Sequence, residues 1–172
     1  MDDFEAFLRW HTGPLLEKHN RQAYAEWLVQ RALRLKPGPY RAAEAVLDVG
    51  EPGLTLAVRS AAYLQGGERE PTHAIQFTLE PRHVSAWLFC LLAEQDPERV
   101  DPRDVSQWRF WLVPSKTLHA GRRSIGLQVL QRAHGEGVGY DQLPARLQAL
   151  PVPAAGGAGG GDGDAAQSQP LD

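Results

Sequence analysis

Two stretches of this sequence carry ionisable side chains that an alternating backbone would bring together. Asp48 lies in the apolar run Ala45-Val46-Leu47-Asp48-Val49, and Arg59 lies in Leu54-Thr55-Leu56-Ala57-Val58-Arg59-Ser60. If residues 54–59 form a strand, Leu54, Leu56 and Val58 take one face and Thr55, Ala57 and Arg59 the other. Arg59 then points toward a face that Asp48 on the preceding strand can share. An acid and a base meeting there make either a structural ion pair at a sheet edge or a charged pocket. Arg59 stays protonated across the accessible pH range, so it cannot act as a base, but it can hold a phosphate or Asp48 with bidentate geometry. Glu26 sits beside Val29 and Leu33 at the border of an apolar helical arc and can face the sheet. Glu44 is four strand residues from Asp48, roughly 13 Å, too far to share one ion. That leaves Glu26 as the second carboxylate available to a metal.

Arg109, Lys116, Arg122 and Arg123 form the main basic concentration, flanked by Trp108 and Trp111. Cations beside aromatics suit a phosphate backbone or unstacked bases. The alternation of Trp108, Phe110 and Leu112 suits the buried side of a strand. The six histidines never fall into metal-ligand spacing with one another or with Cys90. Cys90 stands in the most apolar run, where a thiol behaves as a small hydrophobe and its thiolate is disfavoured. The glycines from Gly135 to Gly139 follow no strand and read as a turn before Tyr140.

These residues need elements to hold them. The spacing of Tyr24, Leu28, Ala32 and Leu35 predicts a helix capped by Asn20 and running to about Leu35, where Pro37-Gly38-Pro39 stops it. Residues 3–10 and 15–19 are also helix-compatible, broken at Gly13-Pro14. Short apolar runs then predict five strands at residues 45–49, 54–64, 74–79, 84–92 and 108–113. Gly50-Glu51-Pro52-Gly53 is short enough for a hairpin-like return, and residues 95–105 form a longer polar loop. Residues 84–92 are apolar on both faces, as a central strand covered on both sides requires. Residues 124–134 fit a strand or a helix, because Ile125, Leu127 and Val129 also alternate. Asp141 can cap a last helix carrying Leu143, Leu147 and Leu150, with Pro144 in its first turn.

Among the 172 residues, 18 Lys and Arg stand against 21 Asp and Glu, a net charge of −3 that excludes a strongly basic nucleic-acid coat. The excess acidity comes from Asp162, Asp164 and Asp172, so residues 1–150 carry 18 acidic and 18 basic groups. A neutral body can hold a local positive groove. Residues 151–172 are rich in Gly, Ala and Pro and contain no basic or aromatic residue; they are expected to be a disordered tail behind a single domain at residues 1–150. The single cysteine excludes an internal disulfide framework and agrees with a reducing cytoplasm. The first ten residues hold no basic signal region. The longest apolar run is about half the ~20 residues needed to cross a bilayer, so no membrane role is expected.

Taken together, Ala25-Glu26, Asp48, Ala57-Val58-Arg59-Ser60, Tyr63, Gln65 and the run Trp108-Arg109-Phe110-Trp111-Leu112-Val113-Pro114 resemble the PD-(D/E)XK, restriction-endonuclease-like superfamily, and more closely its bacterial restriction-endonuclease-like members. The resemblance spans roughly residues 15–150. It implies an α/β fold with a central mixed β-sheet of about five strands flanked by helices. It also implies a pocket in which Asp48 and a helix glutamate, Glu26, lie near a magnesium ion and Tyr63 and Gln65 meet phosphate or metal-bound water. In the family the second strand carries an acid and a lysine; here those positions are Ala57 and Arg59. The implied function is therefore a nuclease-like nucleic-acid-binding protein with a degenerate, inactive site and no cofactor. Its remnant centre would be Asp48, Arg59 and Gln65, with Ser60, Tyr63, Arg109, Lys116, Arg122 and Arg123 toward DNA. Two alternatives stay open. One is an active Mg2+-dependent DNA endonuclease with Glu26 and Asp48 on the metal. The other is a protein-interaction scaffold, as a homodimer or with a partner protein.

Overall fold

A computed structural model describes residues 13–36, 46–49, 53–66, 68–80, 83–119 and 121–150. Its elements are helix α1 (Lys18–Ala32), strands β1 (Val46–Asp48), β2 (Thr55–Ala62), β3 (Gln76–Thr78), β4 (Ala86–Leu92), β5 (Trp108–Pro114) and β6 (Ser124–Gly126), and helices α2 (Leu127–His134) and α3 (Leu143–Gln148). The main sheet has four strands in the order β1-β2-β4-β5. Its mixed character comes from antiparallel β1/β2 and β4/β5 pairs around a parallel β2/β4 pair. Every residue of β4 is buried, as two covered faces demand.

The expected fifth strand of this sheet lies elsewhere. β3 pairs antiparallel with β6 in a separate two-stranded sheet. Only Phe77 of its three residues is buried, and that ring packs on Phe89 of β4 at 5.1 Å between centroids. β3 thus lies over the main sheet rather than beside it. Residues 124–134 contain both structures that their pattern allowed, β6 and then α2, and the change falls at Gly126, whose extended backbone starts the helix.

Alternation along the strands divides the core in two. One face of the main sheet presents Ala57, Ala61, Trp87, Phe89, Leu91, Trp111 and Val113 to β3, β6 and α2. The other presents Val58, Ala62, Leu88, Cys90, Leu92, Trp108 and Phe110 to Ala25, Leu28 and Val29 of α1 and Leu143 of α3. Helices therefore cover one face, and a small sheet with a helix covers the other.

α1 begins at Lys18, with Glu17 at its cap, so Asn20 is not the cap: it lies inside the first turn and its amide donates to the Pro14 carbonyl at 3.2 Å. The helix stops before Leu35 because Arg34 takes a left-handed φ of 55°, closing the last turn with a bond from Leu35 N–H to Gln30 O. The cap of α3 falls one residue beyond the expected Asp141, so the helix starts at Leu143. Asp141 is held in a 3-10 turn, Tyr140–Gln142, and Gln142 occupies the cap position, with Pro144 in the first turn as anticipated. The return between β1 and β2 is antiparallel, with Asp48 opposite Thr55. Residues 3–10, Glu44 and the tail at 151–172 lie outside the described residues. Among the described residues no helix is long and apolar enough to cross a membrane.

Candidate functional site

The β1/β2 register decides which side chains share a face. Asp48 is opposite Thr55 and Leu47 opposite Leu56. Directly opposed residues of an antiparallel pair point the same way, so Asp48 shares its face with Thr55, Ala57 and Arg59. The pattern anticipated in the sequence is present. The offset along the strand was not visible there: Arg59 is four residues beyond Asp48's partner, roughly 13 Å.

Arg59 is held by other groups. Its side chain is 14% exposed and its guanidinium lies 3.5 Å from the Glu80 carboxylate. It donates from Nε to Thr78 O at 3.2 Å and from an Nη to Val58 O at 2.7 Å. The guanidinium carbon also stands 5.2 Å over the Trp87 ring. Among the described residues the acid within ion-pair distance of Arg59 is therefore Glu80, at the end of β3, and not Asp48.

Glu26 does face the sheet, as its helical position suggested, and is 5% exposed. It is under the opposite face from Asp48. On α1, Gln22 donates from Nε2 to Glu26 Oε1 at 2.7 Å and to Val58 O at 2.9 Å, while its Oε1 accepts Ser60 N–H at 2.8 Å. Among the described residues the β1 pairing reaches Ala57, and beyond that point Gln22 gives Val58 O a donor and Ser60 N–H an acceptor from a side chain. Cys90 lies close by in the same layer, its thiol pushed well up by burial and further by the Glu26 charge. The carboxylates of Glu26 and Asp48 do not converge, and Ala57 has no donor to offer, so these residues do not fit a two-carboxylate magnesium site. Among the described residues no three His, Cys, Asp or Glu side chains gather as a metal group.

Gln65 is consumed by internal bonds. Its Oε1 accepts from an Arg21 Nη at 3.2 Å and its Nε2 donates to Ala62 O at 3.1 Å, beyond the far end of β2. Arg21 is 2% exposed, and burial lowers its pKa, partly offset by Glu17. Ser60 Oγ is buried with no hydrogen-bond partner among the described residues. Tyr63 is half-buried against the core on the Arg59 face.

The basic residues separate into three places. Arg109 is the second residue of β5 and donates to Ser106 O and Trp108 O, at 2.9 and 2.8 Å. Lys116 is past the other end of that strand, in the 3-10 turn Ser115–Thr117. Arg122 and Arg123 are exposed in the loop before β6, and Arg123 O accepts Leu79 N–H at 2.8 Å. This brings the arginine pair to the end of β3 where Arg59 reaches Thr78. Trp108 and Trp111 are core residues on opposite faces of the sheet and offer no ring to a base; their indoles donate to Pro102 O and Gly135 O, each at 2.8 Å.

Arg21, Gln22 and Glu80 were not singled out from the sequence. A signal existed for the first two, which are contiguous in helical projection with Ala25, Glu26 and Val29; Glu80 carried none. No family model matches the chain, and neither the curated proteins nor the solved structures give a match.

Proposed function

We propose that this protein binds the phosphate backbone of nucleic acid without hydrolysing it, through Arg59, Arg122 and Arg123 at the end of β3. The observation that supports this reading is the pairing of Leu79 N–H with Arg123 O beside the Arg59–Thr78 bond, which draws three arginines from distant parts of the chain to one place. Glu80 is the acid that accompanies them among the described residues. Positive charge concentrated in this way on an otherwise neutral body suits a polyanion. The separation of Glu26 from Asp48 supports binding over cleavage.

The test is fluorescence anisotropy with single- and double-stranded DNA across a salt series. Wild type is expected to bind at low salt, with log K falling linearly against log salt. Arg122→Ala with Arg123→Ala is expected to flatten that slope by about 2, roughly one for each phosphate contact removed. An unchanged slope, or no binding at low salt, refutes the reading. In parallel, wild type and the Ala57→Glu, Arg59→Lys double variant are incubated with DNA and Mg2+ or Mn2+. Divalent-dependent cleavage by wild type that Asp48→Ala abolishes would overturn the claim of binding without hydrolysis.

A further inference from the structure

Among the described residues the outer edge of β5 is bridged at one point and then left open. Phe110 exchanges both backbone hydrogen bonds with Val138, each 2.9 Å. Antiparallel ladders alternate, so the N–H and C=O of Leu112 point the same way as those of Phe110, away from β4. No bond joins either group to a described residue. Continuing the register would place Glu136 opposite Leu112, but Gly135 and Gly137 take left-handed φ values of 77° and 80° and carry the chain off the strand. Where the ladder would have run there is a cavity of about 350 Å³, lined by Phe110, Leu112, Ala133, Val138, His134 and Arg146 among others. That volume is within the range of small-ligand sites, ~300–1,000 Å³. The nearby Glu136 carboxylate accepts from Gln131 Nε2 at 3.1 Å. His134 and Arg146 have no acidic partner within ion-pair distance among the described residues.

An unpaired backbone donor and acceptor and two basic side chains, beside the aliphatic Leu112 and Val138, select a particular chemistry: an extended amide ending in an anion. We propose that this cavity receives the C-terminal residues of a partner peptide, which adds to the β5 edge at Leu112 and sets its terminal carboxylate against Arg146 and His134. The site is on the edge of the main sheet opposite β1, and it does not depend on the arginine group at β3.

The probe is a fluorescein-labelled Thr-Val-Thr-Val-Leu peptide with a free carboxylate, compared with its C-terminal amide by anisotropy on the full chain. The acid is expected to bind about ten-fold tighter than the amide. Arg146→Ala removes that preference, whereas Arg132→Ala, on exposed α2 surface outside the cavity, preserves it. Hydrogen exchange at the Leu112 amide slows when the acid peptide is added. Equal affinity for acid and amide, no binding of either, unchanged exchange at Leu112, or displacement of the peptide by an oligonucleotide overturns the proposal.

Discussion

Replacing Gln22 by Leu removes one amide and exposes how much of the β2 edge depends on it. Leu keeps most of the volume but can neither accept Ser60 N–H nor donate to Val58 O and Glu26. Val58 O retains the bond from Arg59. The Ser60 N–H is left without its acceptor in a half-buried place, at a cost of about 1–3 kcal/mol. The bond to the Glu26 carboxylate adds about 1.5–3 kcal/mol as a hydrogen bond to a charged group. A total loss of about 3–4 kcal/mol is expected in urea unfolding followed by tryptophan fluorescence. Because both changes remove the same Gln22–Glu26 bond, Gln22→Leu combined with Glu26→Leu is expected to cost less than the sum of the single changes. A loss below about 0.5 kcal/mol in the single variant would refute the view that this amide satisfies the β2 backbone, since an unsatisfied buried group cannot be that cheap.

Trp108→Ala empties a fully buried site and strands Pro102 O; about 3–5 kcal/mol should be lost, measured as a lower urea midpoint at constant m-value. Gly137→Ala puts a Cβ 2.7 Å from the Trp111 ring at a backbone φ of 80°, and a loss of about 1–3 kcal/mol with a changed near-UV signal is expected. Glu94 is held below the usual carboxylate range first by the Asp96 N–H, and Asp101 first by its hydrogen bond to Arg103. A depressed folded-state value contributes stability above the unfolded value and loses it as pH falls through the folded one. The 94–107 loop should therefore loosen below about pH 4, seen as faster hydrogen exchange at Asp96 and Arg103, and exchange that stays unchanged would contradict the assignment.

The strands were legible where burial writes itself into composition. β4 reads as buried on both sides because all seven of its residues are apolar; of the alternating Trp108, Phe110 and Leu112, the first two are core while Leu112 is half-buried, and Trp111 and Val113 are buried on the other face. What stayed hidden was set by pairing. β3 joins β6, some fifty residues later in the chain, and no local pattern announces a partner that distant. The common face of Asp48 and Arg59 follows from alternation alone, but their separation follows from the hairpin register. The same register puts Asp48 on the face away from Glu26, so a helix position correctly read as facing the sheet did not complete a site. α1 was the least transparent element, because its buried side includes Arg21 and Glu26 with Gln22 beside them. Among them Gln22 bonds the β2 backbone at Val58 O and Ser60 N–H, a requirement visible only once the helix is laid against that strand.

Cys90 is the sole cysteine of the chain and has no exposed surface, placed in the middle strand between Ser60 and Phe110. A thiol so placed reports on a single event. A soluble alkylating reagent reaches the sulfur only when β4 parts from its neighbours, so under fast reclosing its labelling rate scales with the population of the opened sheet. The native protein thus carries an intrinsic gauge of its own cohesion, readable by mass without any engineered probe.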